Sequence, residues 1–356
     1  MMLVSALLVV SCTLDDPDPL DKQERMSFQP VVNKALASKA IVQDTDYPED
    51  QDFCVSAFYF TDKAGVTPQT CYIEKNVVSH NGSVWNTPVD YYWPLSGYMD
   101  FKAYSPASLG TQGADITYTN GVSLSNYNID SFDDTQVDFM YSEPLNDKIT
   151  NAGHPEEVDI IFEHALAQVA FTVEPQAYYT TTADGTTNQV TITIDKLSLK
   201  KMYHIGSFKQ NADPQWDVYD ESDTYTVPCL IDYTLLNKEP GQGTELLYDG
   251  ETPKSVPVKQ DNGTNLAALL IPQTLNQDAA LDVTYSVTQT TTNGDDTIVA
   301  PYTITFSNSI QIHGNPKQVL EMGKKLVYNI RIGLDAISLE ATYGEWSGSE
   351  EIVEPQ

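Results

Sequence analysis

The sequence predicts an all-β protein whose strands pack as antiparallel β-sandwiches. Three observations predict it. Apolar and polar residues alternate at period two along run after run, the runs are separated by Asx and Gly turn chemistry, and no apolar pattern at helical spacing extends beyond one or two turns.

Taken in chain order, the first clear alternation is Met99, Phe101 and Ala103 against Asp100 and Lys102. Leu281, Val283, Tyr285 and Val287 then alternate with Asp282, Thr284 and Ser286. Tyr302, Ile304 and Phe306 alternate with Thr303 and Thr305, and Leu326, Tyr328, Ile330 and Ile332 repeat the pattern. Side chains on a strand point alternately to its two faces, so each run describes a strand with one buried face. Turn signals stand between them at Asp62-Lys63-Ala64-Gly65, Asn120-Gly121, Asp184-Gly185 and Asn293-Gly294-Asp295.

One run changes phase. Val158, Ile160 and Phe162 share a face, whereas Ala165, Ala167, Val169, Phe171 and Val173 have the opposite parity. A one-residue slip turns every side chain over, so a bulge or kink is expected near His164. The chain is long enough for two domains. The boundary is expected in the loop Asn151-Ala152-Gly153-His154-Pro155, giving an N-terminal unit 26–153 and a C-terminal unit 154–356.

Residues 1–25 read as a leader and a tether. Leu3 to Val10 is apolar apart from Ser5 and far shorter than the roughly 20 residues of a spanning helix. It runs into Val9-Val10-Ser11-Cys12, which matches a bacterial lipobox and makes Cys12 the candidate lipidation site, held in the outer membrane by its acyl chains. The acidic, proline-rich Thr13 to Pro19 that follows cannot form a core and reads as a tether.

Composition narrows the function. The 50 Asp and Glu against 19 Lys and Arg leave no basic cluster for phosphate, so nucleic acid is excluded as a partner. His80, His154, His164, His204 and His313 fit no metal-ligand spacing, and no catalytic elbow is present. Gly241-Gln242-Gly243 lacks the rest of a nucleotide fingerprint, and Asp133-Asp134 and Asp295-Asp296 lack the spacing of a calcium loop. No metal, cofactor or catalytic residue is assigned, and the work expected is binding or assembly. Besides Cys12, Cys54, Cys71 and Cys229 are an odd set that read as buried free thiols, with a disulfide between Cys54 and Cys71 on neighbouring strands as the alternative. Trp85 and Tyr91-Tyr92-Trp93-Pro94 read as core aromatics on a strand that ends at Pro94, with sugar stacking as the alternative.

Several segments in order carry a resemblance. They are the lipobox, Phe28-Gln29-Pro30-Val31-Val32, the small-residue linker Ala35 to Ala40, and Phe53-Cys54-Val55-Ser56-Ala57-Phe58-Tyr59. Then come Tyr92-Trp93-Pro94, Phe101-Lys102-Ala103-Tyr104-Ser105-Pro106, and Phe162-Glu163-His164-Ala165-Leu166-Ala167-Gln168-Val169. Gly323 to Ile330 and Tyr343-Gly344-Glu345-Trp346 close the chain. In this order they resemble the fimbrillin family of Bacteroidetes, subunits of lipoprotein-derived pili. The resemblance implies two transthyretin-like β-sandwich domains, a cell-surface location, and assembly with other pilus subunits by β-strand addition. It implies that proteolysis removes the first strand, here Met26 to Val32, with Phe28, Val31 and Val32 as its candidate residues. The implied cut lies at Lys39-Ala40, with Lys34 second; a cut at Arg25 would leave the strand in place. The best-patterned donor segment is Ile337, Leu339, Ala341 and Tyr343. A host or bacterial surface ligand is a further candidate partner. The alternative reading is a monomeric surface lipoprotein that binds a glycan or host ligand and keeps its first strand.

Overall fold

The computed structural model describes residues 24–33, 43–44, 47–132, 136–145, 147–176, 180–183, 185–218, 229–246, 254–260, 262–293, 296–314, 319–333, 337–344 and 346. The first part of the chain supplies β1 (Phe28–Asn33), β2 (Gln43–Asp44), β3 (Phe53–Phe60), β4 (Thr70–His80), β5 (Trp85–Asn86) and β6 (Tyr98–Ser105). It continues with β7 (Ala114–Thr117), β8 (Gly121–Asn128), β9 (Met140–Ser142), β10 (Ile149–Thr150) and β11 (Val158–His164). Next come β12 (Ala167–Pro175), β13 (Thr180–Ala183), β14 (Thr186–Tyr203), β15 (Ile205–Lys209), β16 (Trp216–Val218), β17 (Leu230–Asn237), β18 (Thr244–Glu245) and β19 (Val256–Pro257). The last are β20 (Ala267–Leu270), β21 (Gln273–Thr274), β22 (Ala280–Asn293), β23 (Asp296–Gln311), β24 (Val319–Leu320), β25 (Lys325–Ile332) and β26 (Ile337–Gly344). The expected all-β sandwich class is what the strands form, and every alternating run named above is a strand.

The first sheet closes on itself. Its order β6-β3-β4-β5-β1-β11-β9 is completed by a β6–β9 pairing, so these strands form a ring with β10 attached outside. Phe28 on β1 reaches across the ring to Phe53 on β3 and Phe101 on β6, edge to face at 6.2 and 6.1 Å. Closure removes the exposed edges that would otherwise invite pairing.

The second body has two layers. β12, β19, β20, β25 and β26 form one sheet, and β13, β14, β17, β18, β22 and β23 the other. Val169, Phe171, Val173, Leu326, Tyr328 and Ile330 of the first share a core with Ile194, Leu197, Leu199, Leu281, Val283 and Tyr285 of the second. Pairing is mostly antiparallel, but β1–β11 and β12–β25 are parallel. Each parallel pair joins strands far apart in the chain, as parallel pairing requires a long connection.

The phase change at His164 is a change of sheet. Val158, Ile160 and Phe162 belong to the ring's core, while Ala165 onward belongs to the larger core of the second body. β11 pairs with β1 and β9 in the ring. The change of core thus falls at His164–Ala165, beyond the expected boundary at 153/154. The halves are also sewn together, because the β15–β16 hairpin joins β8 and β7 in one sheet.

That joint explains a second departure. Asp100 and Lys102 face away from the ring's core, yet both are buried. The outer face of β6 is covered, with Lys102 Nζ lying 5.7 Å from the Tyr118 ring and Tyr104 in the larger core. Burial pushes the Asp100 carboxyl above its usual range. Cys54 and Cys71 lie on neighbouring strands, but Cys54 opposes Val77 and Cys71 opposes Phe58. They are out of register for a disulfide, and none of Cys54, Cys71 and Cys229 forms one; Cys54 and Cys229 are buried as expected, whereas Cys71 is exposed.

Candidate functional site

The first strand occupies an inner position of the ring. On one side it runs parallel to β11 in unbroken register from Phe28↔Val158 to Val32↔Phe162. On the other it meets Trp85 of β5 at Phe28, then β2 at Val32↔Asp44 and Asn33↔Gln43. Upstream of the strand, Met26 N donates to Tyr91 O at 2.8 Å and Trp93 N to Glu24 O at 2.9 Å. The segment is thus bonded continuously to β11 on one edge and at its two ends on the other.

Side chains fix the register. Met26 and Phe28 are fully buried among Phe53, Phe101, Trp85 and Trp93, and Val32 packs partly against the same core. Val31 is buried as well, but by parity it faces the other side of the strand. Of the three candidate residues, Phe28 and Val32 point toward the ring's core and Val31 away from it.

The start of the segment is clamped by charge and by ring stacking. Arg25 pairs with Asp90 at 2.7 Å, with both side chains largely solvated. His154 stacks on Trp93 with centroids 4.4 Å apart and planes 3° apart, and its Nε2 lies 3.6 Å from the Glu24 carboxylate. The neighbouring strand β11 carries Glu163, whose carboxyl is pushed up by burial and then by Glu143, while Tyr141 donates to it at 2.8 Å.

The candidate donor segment sits elsewhere. β26 pairs with β25 along its whole length, from Ile332↔Ile337 to Lys325↔Gly344. Ala341 is buried, Ile337, Leu339 and Tyr343 are half-buried, and Ser338, Glu340 and Thr342 are exposed. Among the described residues β26 has no strand on its other side. Trp346 just beyond it is buried and stacks on His164 at 4.2 Å, and His164 Nδ1 lies 2.8 Å from an Asp138 carboxylate oxygen. The structure therefore does not bring the two candidate strands together. It joins the chain's last tryptophan to the point where the chain changes sheet, a contact that residue spacing does not encode.

Other expectations find their places. Cys12, Lys34, Lys39 and Ala40 lie outside the described residues, as do Asp133, Asp134 and Asp295. Trp85 and Trp93 are core residues, as expected, and offer no face to a sugar. Gly241 and Gly243 donate their N–H groups to Oδ1 of the buried Asp195 at 3.0 and 3.2 Å, so this pair serves the chain's own carboxylate. A Cβ at position 243 would lie 1.7 Å from the Ile194 carbonyl oxygen, which explains the glycine. Among the described residues no three His, Cys, Asp or Glu converge as a metal site, and no helix is long and apolar enough to cross a membrane.

The family model described as fimbrillin-like matches residues 42–346, and the chain belongs to that family. No curated protein is a sequence match to this chain. Among solved structures it is similar to a fimbrial protein from Bacteroides vulgatus, with 18% identity, TM-score 0.59, and 91% of this chain and 100% of that one covered. It is also similar to candidate cell adhesion proteins from Bacteroides uniformis and Bacteroides ovatus. The former shows 13% identity and TM-score 0.48, covering 91% of this chain and 99% of that one. The latter shows 15% identity and TM-score 0.48, covering 92% and 99%. The first of these likenesses supports the fold.

Proposed function

We propose that this chain is a subunit of a cell-surface pilus, exported as a lipoprotein through Cys12. In this reading proteolysis in the linker between β1 and β2, at Lys39-Ala40, frees the first strand. A strand from a neighbouring subunit then fills the vacated seat. The role is structural or adhesive, and no step of it calls for catalysis.

One observation carries the reading: β1 is an inner strand of the ring, between β11 and β5, and residues 34–42 separate it in sequence from β2. Full burial of an apolar side chain contributes roughly 1.5–3 kcal/mol, so Met26, Phe28 and Val31 together contribute about 5–9 kcal/mol. Net domain stabilities are about 5–15 kcal/mol. An empty seat would cost a large fraction of that, and would leave two rows of backbone groups unpaired. Only another strand restores both. Head-to-tail repetition of the exchange does not close and yields a filament. Ile337, Leu339, Ala341 and Tyr343 supply the donor pattern in this reading, because β26 is held along one edge only.

The test is the intact mass of protein sheared from the cell surface. A start near Ala40 supports the proposal. A surface protein that still begins at diacylated Cys12 and enters no fibre overturns it.

A further inference from the structure

The longest open edge in the molecule is β23, which among the described residues hydrogen-bonds only to β22. Long flat edges are normally blunted by charge, proline or a bulge. Here the far end is blunted, by Pro301 and by a register shift opposite Gln289–Thr291. From Tyr302 to Gln311 the register to β22 is unbroken and the strand bears no charge, in a chain of formal net charge −31. The edge of β26, by contrast, carries Glu340.

The face of this strand is also unfinished. Phe306 packs partly against the larger core. The same face continues outward through Ile304 and Tyr302, which are 43% and 66% exposed. The opposite face is a hydroxyl ladder: Thr284 with Ser307 at 3.1 Å, Ser286 with Thr305 at 3.3 Å and Thr288 with Thr303 at 2.9 Å. These bonds hold β23 flat against β22 and leave its outer edge presented.

The sequence of that edge names its occupant. Tyr302-Thr303-Ile304-Thr305-Phe306 reads aromatic, Thr, Ile, Thr, aromatic in either direction. We infer that β23 is the edge through which two copies of this chain pair, antiparallel, about a two-fold axis at Ile304. Ile304 then faces Ile304 of the second copy, Thr303 faces Thr305, and Tyr302 faces Phe306. Each pair places like on like and on the same face, as cross-strand stabilisation requires. An isologous contact needs such self-complementarity. The lack of charge matters because a carboxylate at or beside the axis would lie close to its own copy across the pair. The contact uses neither β1 nor β26, so it stands or falls independently of strand exchange and would join subunits side by side.

The experiment is disulfide trapping in the purified full-length chain carrying Cys12→Ser and Cys71→Ser. Opposed residues in an antiparallel pair have Cα atoms 4.5–5.5 Å apart, within disulfide reach. Ile304→Cys therefore meets its mate. Ser309→Cys is equally solvent-facing on the same strand, but its mate would lie about 33 Å away. The expected result is a covalent dimer from Ile304→Cys that forms roughly tenfold faster or more than from Ser309→Cys, as a templated contact raises the effective concentration. Sedimentation of the otherwise unaltered chain should show reversible association that Ile304→Lys abolishes. Equal trapping rates, faster trapping at position 309, or association unchanged by Ile304→Lys would overturn the inference. The last two outcomes would assign the edge to another register or another partner.

Discussion

The first and last strands of this chain have similar patterns and opposite settings. Phe28 to Val32 and Ile337 to Tyr343 both present apolar residues at period two, and either could be a strand in any sandwich. β1 is bonded on both sides, and Met26 and Phe28 are fully buried. β26 is bonded on one side, and three of its four apolar residues are only half-buried. The difference lies in what loss of each strand leaves behind. Without β1 the ring opens and its core is exposed, whereas without β26 the second sheet ends one strand earlier on β25. The two strands differ in position, not in their pattern.

The largest test of that contrast is deletion. A chain starting at Ala40 should lose about 5–9 kcal/mol from the ring relative to one starting at Glu24, from the burial of Met26, Phe28 and Val31 alone. A synthetic peptide of residues 24–33 should restore it in urea unfolding followed by tryptophan fluorescence. No recovery with the peptide would break the idea of a refillable seat. Next in size is a pair of single substitutions. Phe28→Ala should cost about 3–5 kcal/mol, as expected for a fully buried ring. Leu339→Ala, half-buried on an edge strand, should cost about 1–2 kcal/mol, at or below the low end for leucine truncation. Equal losses would erase the distinction between the strands.

Trp346→Ala separates the two strands kinetically. Trp346 closes the end of β26 onto His164, so its loss should cost up to about 3 kcal/mol locally. Amide exchange across 337–344 should accelerate while exchange across 28–33 stays unchanged. If both segments loosen together, the ring and the second body unfold as one unit and the last strand is not independently held.

Smaller still is the effect of Glu163 beside β1. Its carboxyl titrates higher in the folded protein, through burial and Glu143. The folded state then binds more protons between the unfolded and folded values, so stability falls as pH rises through that window. Glu163→Gln should remove this slope and be more stable than the parent at neutral pH, measured by urea midpoints across pH 4–8. A slope that survives the substitution would place its source elsewhere.

Much of this was legible in the sequence. Period two marked the strands because a half-buried sheet leaves that pattern, and the phase flip at His164 located the change of sheet within a residue or two. The loop at 153/154, with its Gly and Pro, resembles a domain linker in the sequence, whereas the pairing of β11 with a strand at the start of the chain is not visible there. Asp100 and Lys102 read as solvent-facing because alternation cannot tell water from a second layer of protein. Ring closure and the Trp346–His164 stack depend on contacts between distant residues, which no local pattern records. The family was legible from the order of its motifs, and the seat of β1 only from the pairing.

The smallest expected effect concerns Arg25, and it sharpens the comparison from the other end. Its ion pair with Asp90 sits where the chain enters the ring, with the side chains 41% and 48% exposed. Solvated pairs of this kind contribute about 0–1 kcal/mol and weaken with salt. Arg25→Ala should therefore lower ring stability by less than about 1 kcal/mol, with the deficit disappearing at high salt. The contrast with Phe28→Ala is the informative quantity: the strand is held by what it buries, not by the charge at its threshold. A protease that cut at Arg25 would then release residues 1–25 and leave Met26 to Val32 in place. A large, salt-resistant loss on Arg25→Ala would reverse that conclusion and make the clamp, instead of the core, the lock on the first strand.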